Sequence, residues 1–301
     1  LEAKFTPIQS EDYYRRLLTA RDGIEVVLED SEPVPRDRWH QTRLEGDAWT
    51  NGAVSPGWWA PPFFGELRAE GALPLPALEG GWWTSHYGDN RVSHDPPGNR
   101  FELNAGEGRI RYFWTHHPEE DGGDRSWSLF FIGGGGPTRI RVSGTAVWMF
   151  EEGVRFDPTV KVEGEGDEAT LIVVGRPGPG PVNAPESGVG VAFKGSLEVE
   201  NCNVIMISNG AVVIEHDTDA RDRSARVDYL SVFARSVRIE GPYDDGGTPP
   251  LLRLTHDPDA YQDRPGRLID DLGERGALPN VTGSSMGQLR LIAGSWRTLS
   301  N

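Results

Sequence analysis

The sequence predicts a mainly β fold, a right-handed parallel β-solenoid with an N-terminal α-helix and long irregular loops. An antiparallel β-sandwich is the alternative. Three observations lead there. From about residue 126 onward, short β-rich runs follow one another with Gly or Asn between them. The chain holds 38 glycines and 23 prolines, which favours turns over long helices. No helical pattern separates the runs, so parallel neighbours would have to come from coiling rather than from helical crossovers.

The elements follow in chain order. Residues 10–29 read as a helix. Ser10 is its N-cap, Glu11 and Asp12 sit in its first turn, and Tyr13, Leu17, Ala20, Ile24 and Val27 recur at helical spacing until Pro33 and Pro35 end it. Residues 33–125 are rich in Pro, Gly and Trp, and read as irregular loops and short strands held by large aromatic side chains. The β-runs include Leu129–Ile132, Ile140–Val142, Ala146–Phe150, Val160–Val162, Leu171–Val174, Val189–Phe193, Val204–Ile207, Ala211–Ile214 and Leu230–Ala234. Gly144, Gly153, Gly164, Gly195, Gly210 and Gly241 punctuate them. Residues 242–288 return to loops, and Leu289–Ala293 reads as a closing strand. This divides the chain into an N-terminal helix (1–32), an irregular region packed on the β-domain (33–125), and a β-solenoid with a C-terminal loop and closing strand (126–301).

Charge and cysteine content exclude several functions. Asp and Glu total 46 against 30 Lys and Arg, a net charge of -16, and such a surface repels nucleic-acid phosphates and anionic lipid head groups. Cys202 is the single cysteine, so no intrachain disulfide or thiolate zinc cluster can form. It lies in an apolar run and reads as a small buried hydrophobe. No stretch is long and apolar enough to span a membrane, and no signal peptide is evident.

Few side-chain constellations suggest chemistry. His116 and His117, beside Glu119, Glu120 and Asp121, alternate sides in an extended chain and read as a solvated loop. Asp257, Asp259 and Asp263 resemble a calcium loop but lack the turn glycine and the terminal Glu of an EF-hand, which leaves an acidic loop or a looser calcium contact. Glu215, Asp217, Asp219, Asp222 and Asp228 could pair for glycoside hydrolysis at the right separation, or line a corner loop. Trp58, Trp59, Phe63, Phe64, Trp82 and Trp83 could stack on sugars, but read first as core. Gly133–Gly136 opens onto a strand with no Lys-Ser/Thr after it, and Asn280-Val281-Thr282 matches a glycosylation sequon. The corner-loop reading of the Glu215–Asp228 carboxylates is preferred, so no catalytic residue is assigned, and no cofactor is expected beyond a calcium ion.

Two stretches resemble a family. Ala20-Arg21-Asp22-Gly23-Ile24-Glu25, at the end of the 10–29 segment, is similar to the Ala-Glu-Ala-Gly-Ile-Glu-like string after the membrane helix of PilX-type pilus-assembly proteins. The β-region at 138–240, with the closing Gly294-Ser295-Trp296-Arg297, resembles the β-helical ectodomain that follows. The resemblance implies a non-enzymatic, cell-surface, minor-pilin-like or pseudopilin-like subunit of a bacterial type IV filament. It also implies a membrane helix upstream of Leu1, and other pilin-like subunits as partners. Tyr13, Leu17 and Ile24 would then face a neighbouring helix or the chain's own β-domain. The alternative is a carbohydrate-active β-helix enzyme or a carbohydrate-binding module.

Overall fold

The computed structural model describes residues 16–28, 42–55, 57, 63–68, 90–92, 99–106, 109–115, 129–133, 136–150, 153–157, 159–177, 188–216, 225–227, 230–241 and 252–256. Its strands in chain order are β1 (Leu18–Leu28), β2 (Thr42–Glu45), β3 (Ala48–Thr50), β4 (Ala53–Ser55), β5 (Phe63–Phe64) and β6 (Leu67–Arg68). Then come β7 (Arg100–Asn104), β8 (Ile110–Thr115), β9 (Leu129–Ile132), β10 (Thr138–Phe150), β11 (Gly153–Phe156) and β12 (Thr159–Gly175). The last are β13 (Val189–Glu200), β14 (Asn203–Ser208), β15 (Ala211–His216), β16 (Ala225–Val227), β17 (Leu230–Gly241) and β18 (Leu252–Thr255). The described residues are mainly β, in one sheet of 14 strands and one of four. Every ladder between these strands is parallel, which sets them apart from the antiparallel sandwich.

The registers arrange the strands in rungs, with three faces to a rung. Strands β7, β8 and β9 make the first. The two halves of β10, with β11, make the second, stacked on the first through Ile140↔Phe101, Trp148↔Phe113 and Val154↔Phe130. The two halves of β12 and the start of β13 follow, then the end of β13 with β14 and β15. Next come β16 and the two halves of β17. Short strands with one buried residue in two give each face an inner side. Phe101, Leu103, Ile140, Val142, Val160, Val162, Leu171, Val173, Val204, Met206, Val212 and Ile214 all point into one core. Phe101, Trp148, Phe150, Phe156 and Phe193 run through it, with Phe156 and Phe193 stacked at 4.6 Å. The Trp148 indole N–H donates to Thr115 Oγ1 at 2.9 Å, so the ring's one polar atom is satisfied inside.

One face is buried on both sides. Val147, Met149, Ile172, Ile205, Ile207 and Phe233 alternate with the inward residues and are equally inaccessible. This explains the unbroken apolar runs there, as expected for parallel strands covered on both sides.

The chain does not fill the rungs in sequence order. After β17, strand β18 begins a sixth rung, lying between β16 and β2. The other two faces of that rung are supplied by β1, which lies between β17 on one side and β3 and β4 on the other. Ser231 Oγ donates to the Arg16 carbonyl at 2.9 Å, and the Val232 N–H donates to the Leu17 carbonyl at 2.9 Å. Strands β2, β3 and β4 form the next rung, and β5 and β6 pair beyond it.

This corrects the expected N-terminal helix over the described part of 10–29, because Leu18–Leu28 is strand β1. The helical stripe competes there with a second pattern. Ile24 and Val26 are buried and Glu25 exposed, a period of two in a β-branched run, and the open slot between β17 and β3/β4 gives that pattern its partners. Strands β2 to β8, from the region read as irregular, stack on the same rungs as the rest. The expected closing strand at 289–293 lies outside the described residues.

Candidate functional site

One face carries a registered lattice of charge. It is formed by β7, the first halves of β10 and β12, the end of β13, and then β16, β18 and β2. Apolar residues alternate inward on β7, β10, β12, β13, β18 and β2, so the intervening polar ones project outward in straight rows. The first row runs Arg100, Arg139, Lys161, Glu198, and continues with Arg253 and Arg43 in mutual register. The second row holds Glu102, Arg141, Glu163 and Glu200, and at the far end Thr255 and Glu45. Asn104 and Ser143 begin a third row, where the Ser143 hydroxyl donates to Asn104 Oδ1 at 2.7 Å.

Most of the second row is tied down. Arg141 reaches Glu163 at 3.4 Å and Glu102 at 4.0 Å. Lys161 Nζ lies 3.2 Å from Glu200 and 3.4 Å from Glu163. Arg253 donates twice to Glu45 Oε2, at 2.6 and 3.0 Å, and the Thr255 hydroxyl donates to the same oxygen at 3.3 Å. The hydrogen bond to Glu200 holds the Lys161 ammonium above its ordinary pKa. Partial burial pushes the Glu163 carboxyl upward, but hydrogen bonds from Lys161 and Arg141 outweigh it and hold the group below its ordinary value.

Three arginines of the first row stand apart. Arg100 and Arg139 are exposed register partners on neighbouring strands, and neither has an ion pair among the described residues. Arg43, at the far end of the row, is exposed and likewise without one.

The third face is differently organised. Lys194 pairs with Glu215 at 3.0 Å, and Arg238 with Glu25 and Glu240. Asp22 accepts from Arg21 at 2.7 Å and Arg235 at 2.6 Å, and these hydrogen bonds hold its carboxyl down at about 2.

The residues singled out in the sequence divide three ways. Leu17 and Ile24 lie in the core at 0% and 2% exposure, so neither is presented to a neighbouring helix, and Tyr13 lies outside the described residues. Glu215 is ion-paired to Lys194, whereas Asp217, Asp219, Asp222 and Asp228 lie outside the described residues. So do Asp257, Asp259, Asp263, the His116–Asp121 loop, and Trp58, Trp59, Trp82 and Trp83. Phe63 is buried, Phe64 is 52% exposed, and Cys202 is buried as expected. Among the described residues no group of three or more His, Cys, Asp or Glu could hold a metal ion, and no helix is long and apolar enough to cross a membrane.

The Arg100–Arg139–Lys161 row escaped the sequence reading. Its signal is a basic residue leading an alternating stretch near the start of a strand: Arg-Phe-Glu-Leu-Asn, Arg-Ile-Arg-Val-Ser and Lys-Val-Glu-Gly-Glu. Stacked positions are separated by 39 residues in one step and 22 in the next, so no fixed repeat aligns them.

Comparison with known proteins adds little. No family model matches the chain, and no curated protein matches it. A solved structure described as an ice binding protein from an Antarctic biological consortium aligns with a TM-score of 0.45 and 15% identity. That alignment covers 79% of this chain and 90% of the other.

Proposed function

We propose that the chain is a non-enzymatic scaffold of the cell surface or its exterior, a right-handed parallel β-solenoid that displays flat charged faces to an extended partner. The observation that supports this most directly is the ladder itself. Glu102, Glu163, Glu200 and Glu45 are engaged by Arg and Lys of neighbouring rungs, which fixes a rigid polar surface. On the third face, Glu215 is likewise committed to Lys194, an arrangement suited to structure rather than to proton transfer. The minor-pilin form of this reading rests on the resemblance alone, since the described part of its helical stretch is strand β1.

The test is incubation of the full chain with soluble polysaccharides from bacterial and plant cell surfaces, following binding by affinity electrophoresis and turnover by new reducing ends. Retardation without product is the expected result. Product that accumulates with protein and disappears in Glu215→Gln would overturn the proposal in favour of a carbohydrate-active enzyme.

A further inference from the structure

The geometry points to the Arg100–Arg139–Lys161 row as a binding site for a linear polyuronate, an unbranched acidic polysaccharide with one carboxylate per sugar. This deepens the scaffold reading above by naming its ligand class.

The argument starts from a cost. Like charges directly opposite each other on neighbouring strands destabilise a sheet. Arg139 is in register with Arg100 on one side and Lys161 on the other, so three cations stand in a row at the strand spacing, about 4.8 Å. Lys161 is compensated by Glu163 and Glu200. Arg100 and Arg139 have no such partner among the described residues, although the chain carries a net charge of -16 and acidic side chains outnumber basic ones. Nothing within the described fold accounts for leaving them side by side. A ligand that brings anions at the same spacing does.

The flanking rows select the kind of anion. Alongside the cations run Glu102, Glu163 and Glu200, and at the end of the first two rungs the hydrogen-bonded Asn104–Ser143 pair. Those carboxylates call for hydrogen-bond donors beside the anion, and a DNA phosphate backbone carries none. A uronate chain alternates carboxylates with hydroxyls. Its carboxylates suit the guanidinium forks of Arg100 and Arg139, and its hydroxyls can donate to the glutamates and to Asn104. The extended pyranose repeat is close in length to the rung spacing, so successive sugars can meet successive rungs. A second basic pair, Arg253 and Arg43, lies farther along the same face, with Glu198 between it and the first row.

The experiment uses the full chain and an oligogalacturonate of defined length, with its fully methyl-esterified form and single-stranded poly(dT) as comparators. Wild type is expected to bind the acid form, more weakly as salt rises because the row is exposed, and not to bind the ester. Arg100→Gln/Arg139→Gln is expected to lose at least tenfold in affinity with an unchanged melting curve, while Arg235→Gln on the third face binds as wild type. Equal binding by the double variant, equal binding of the ester, tighter binding of poly(dT), or no binding by wild type would each overturn the inference. In those outcomes the scaffold reading stands as long as no new reducing ends appear, and it falls separately if they do.

Discussion

Strand β1 can be tested at the level of single methyl groups. The helical stripe expected at residues 10–29 groups Val27 with Ile24, whereas the strand groups Val26 with Ile24. In the structure Ile24 and Val26 are 2% and 6% exposed in the core, and Val27 lies half-buried on the outer side. Ile24→Ala removes three carbons, about 2.4 kcal/mol of transfer free energy at roughly 0.8 per methylene. The cavity left between β17 and β4 raises the total to about 3.5 kcal/mol, within the usual range for such truncations. Val26→Ala, by the same reasoning, costs about 2–3 kcal/mol. Val27→Ala should cost under about 1 kcal/mol, because part of its surface is already wet. At roughly 2–4 °C per kcal/mol, melting temperature should fall by about 7–14 °C for Ile24→Ala and about 5–10 °C for Val26→Ala, and barely for Val27→Ala. Thermal melts of the three variants, checked by urea titration, give the answer. If Val27→Ala is the damaging change and Val26→Ala is silent, residues 24–27 are helical and the shared sixth rung is wrong.

Two further predictions concern the backbone and pH. Gly144 has φ +67, and a Cβ there would stand 2.0 Å from the Gly106 carbonyl oxygen, so Gly144→Ala combines a left-handed backbone penalty with a backbone clash and should cost at least about 3 kcal/mol. Gly106→Ala, with φ +84 but only the Arg109 side chain nearby, should show only the penalty of about 1–2 kcal/mol, and equal urea midpoints for the two variants would contradict this. Asp22 has a folded-state pKa of about 2 against the ordinary 3.8, so its contribution is present above pH 3.8 and is lost as pH falls through about 2. Its half-exposed setting limits the effect to about 0.2–1 kcal/mol, and Asp22→Asn should flatten the melting curve's decline between those pH values.

Much of the architecture was readable where pattern and packing agree. The runs at 129–132, 146–150, 171–174, 204–207 and 230–234 are strands, and the last four belong to the face buried on both sides, where continuous apolar, β-branched runs are expected. Residues 17–28 misled because Leu17, Ala20 and Ile24 satisfy the helical spacing while Ile24 and Val26 satisfy the strand spacing, and only the vacant place beside β17 decides between them. Strands such as β3, β4, β5 and β6 are two or three residues long and are stabilised by neighbours distant in sequence, so local propensity carries little of their signal. The charged row was hidden for a related reason. Each of its members is an ordinary exposed residue on its own strand, and only stacking brings Arg100 beside Arg139.

The sixth rung has a mechanical meaning. Its parts come from opposite regions of the sequence, with contacts spanning 215 residues between Arg16 and Ser231 and 208 between Glu45 and Arg253. An ordinary repeat array can zip from any starting point by adding neighbours. Here β1 has no complete berth until β17 is in place, so the slow closure of a very long loop is built into folding. Leu17 and His256 both lie against Gly46, so tension applied through Arg16 and His256 enters the molecule at nearly one point. The stack is fastened at its sixth rung, like a clasp, by strands that lie far apart in the sequence.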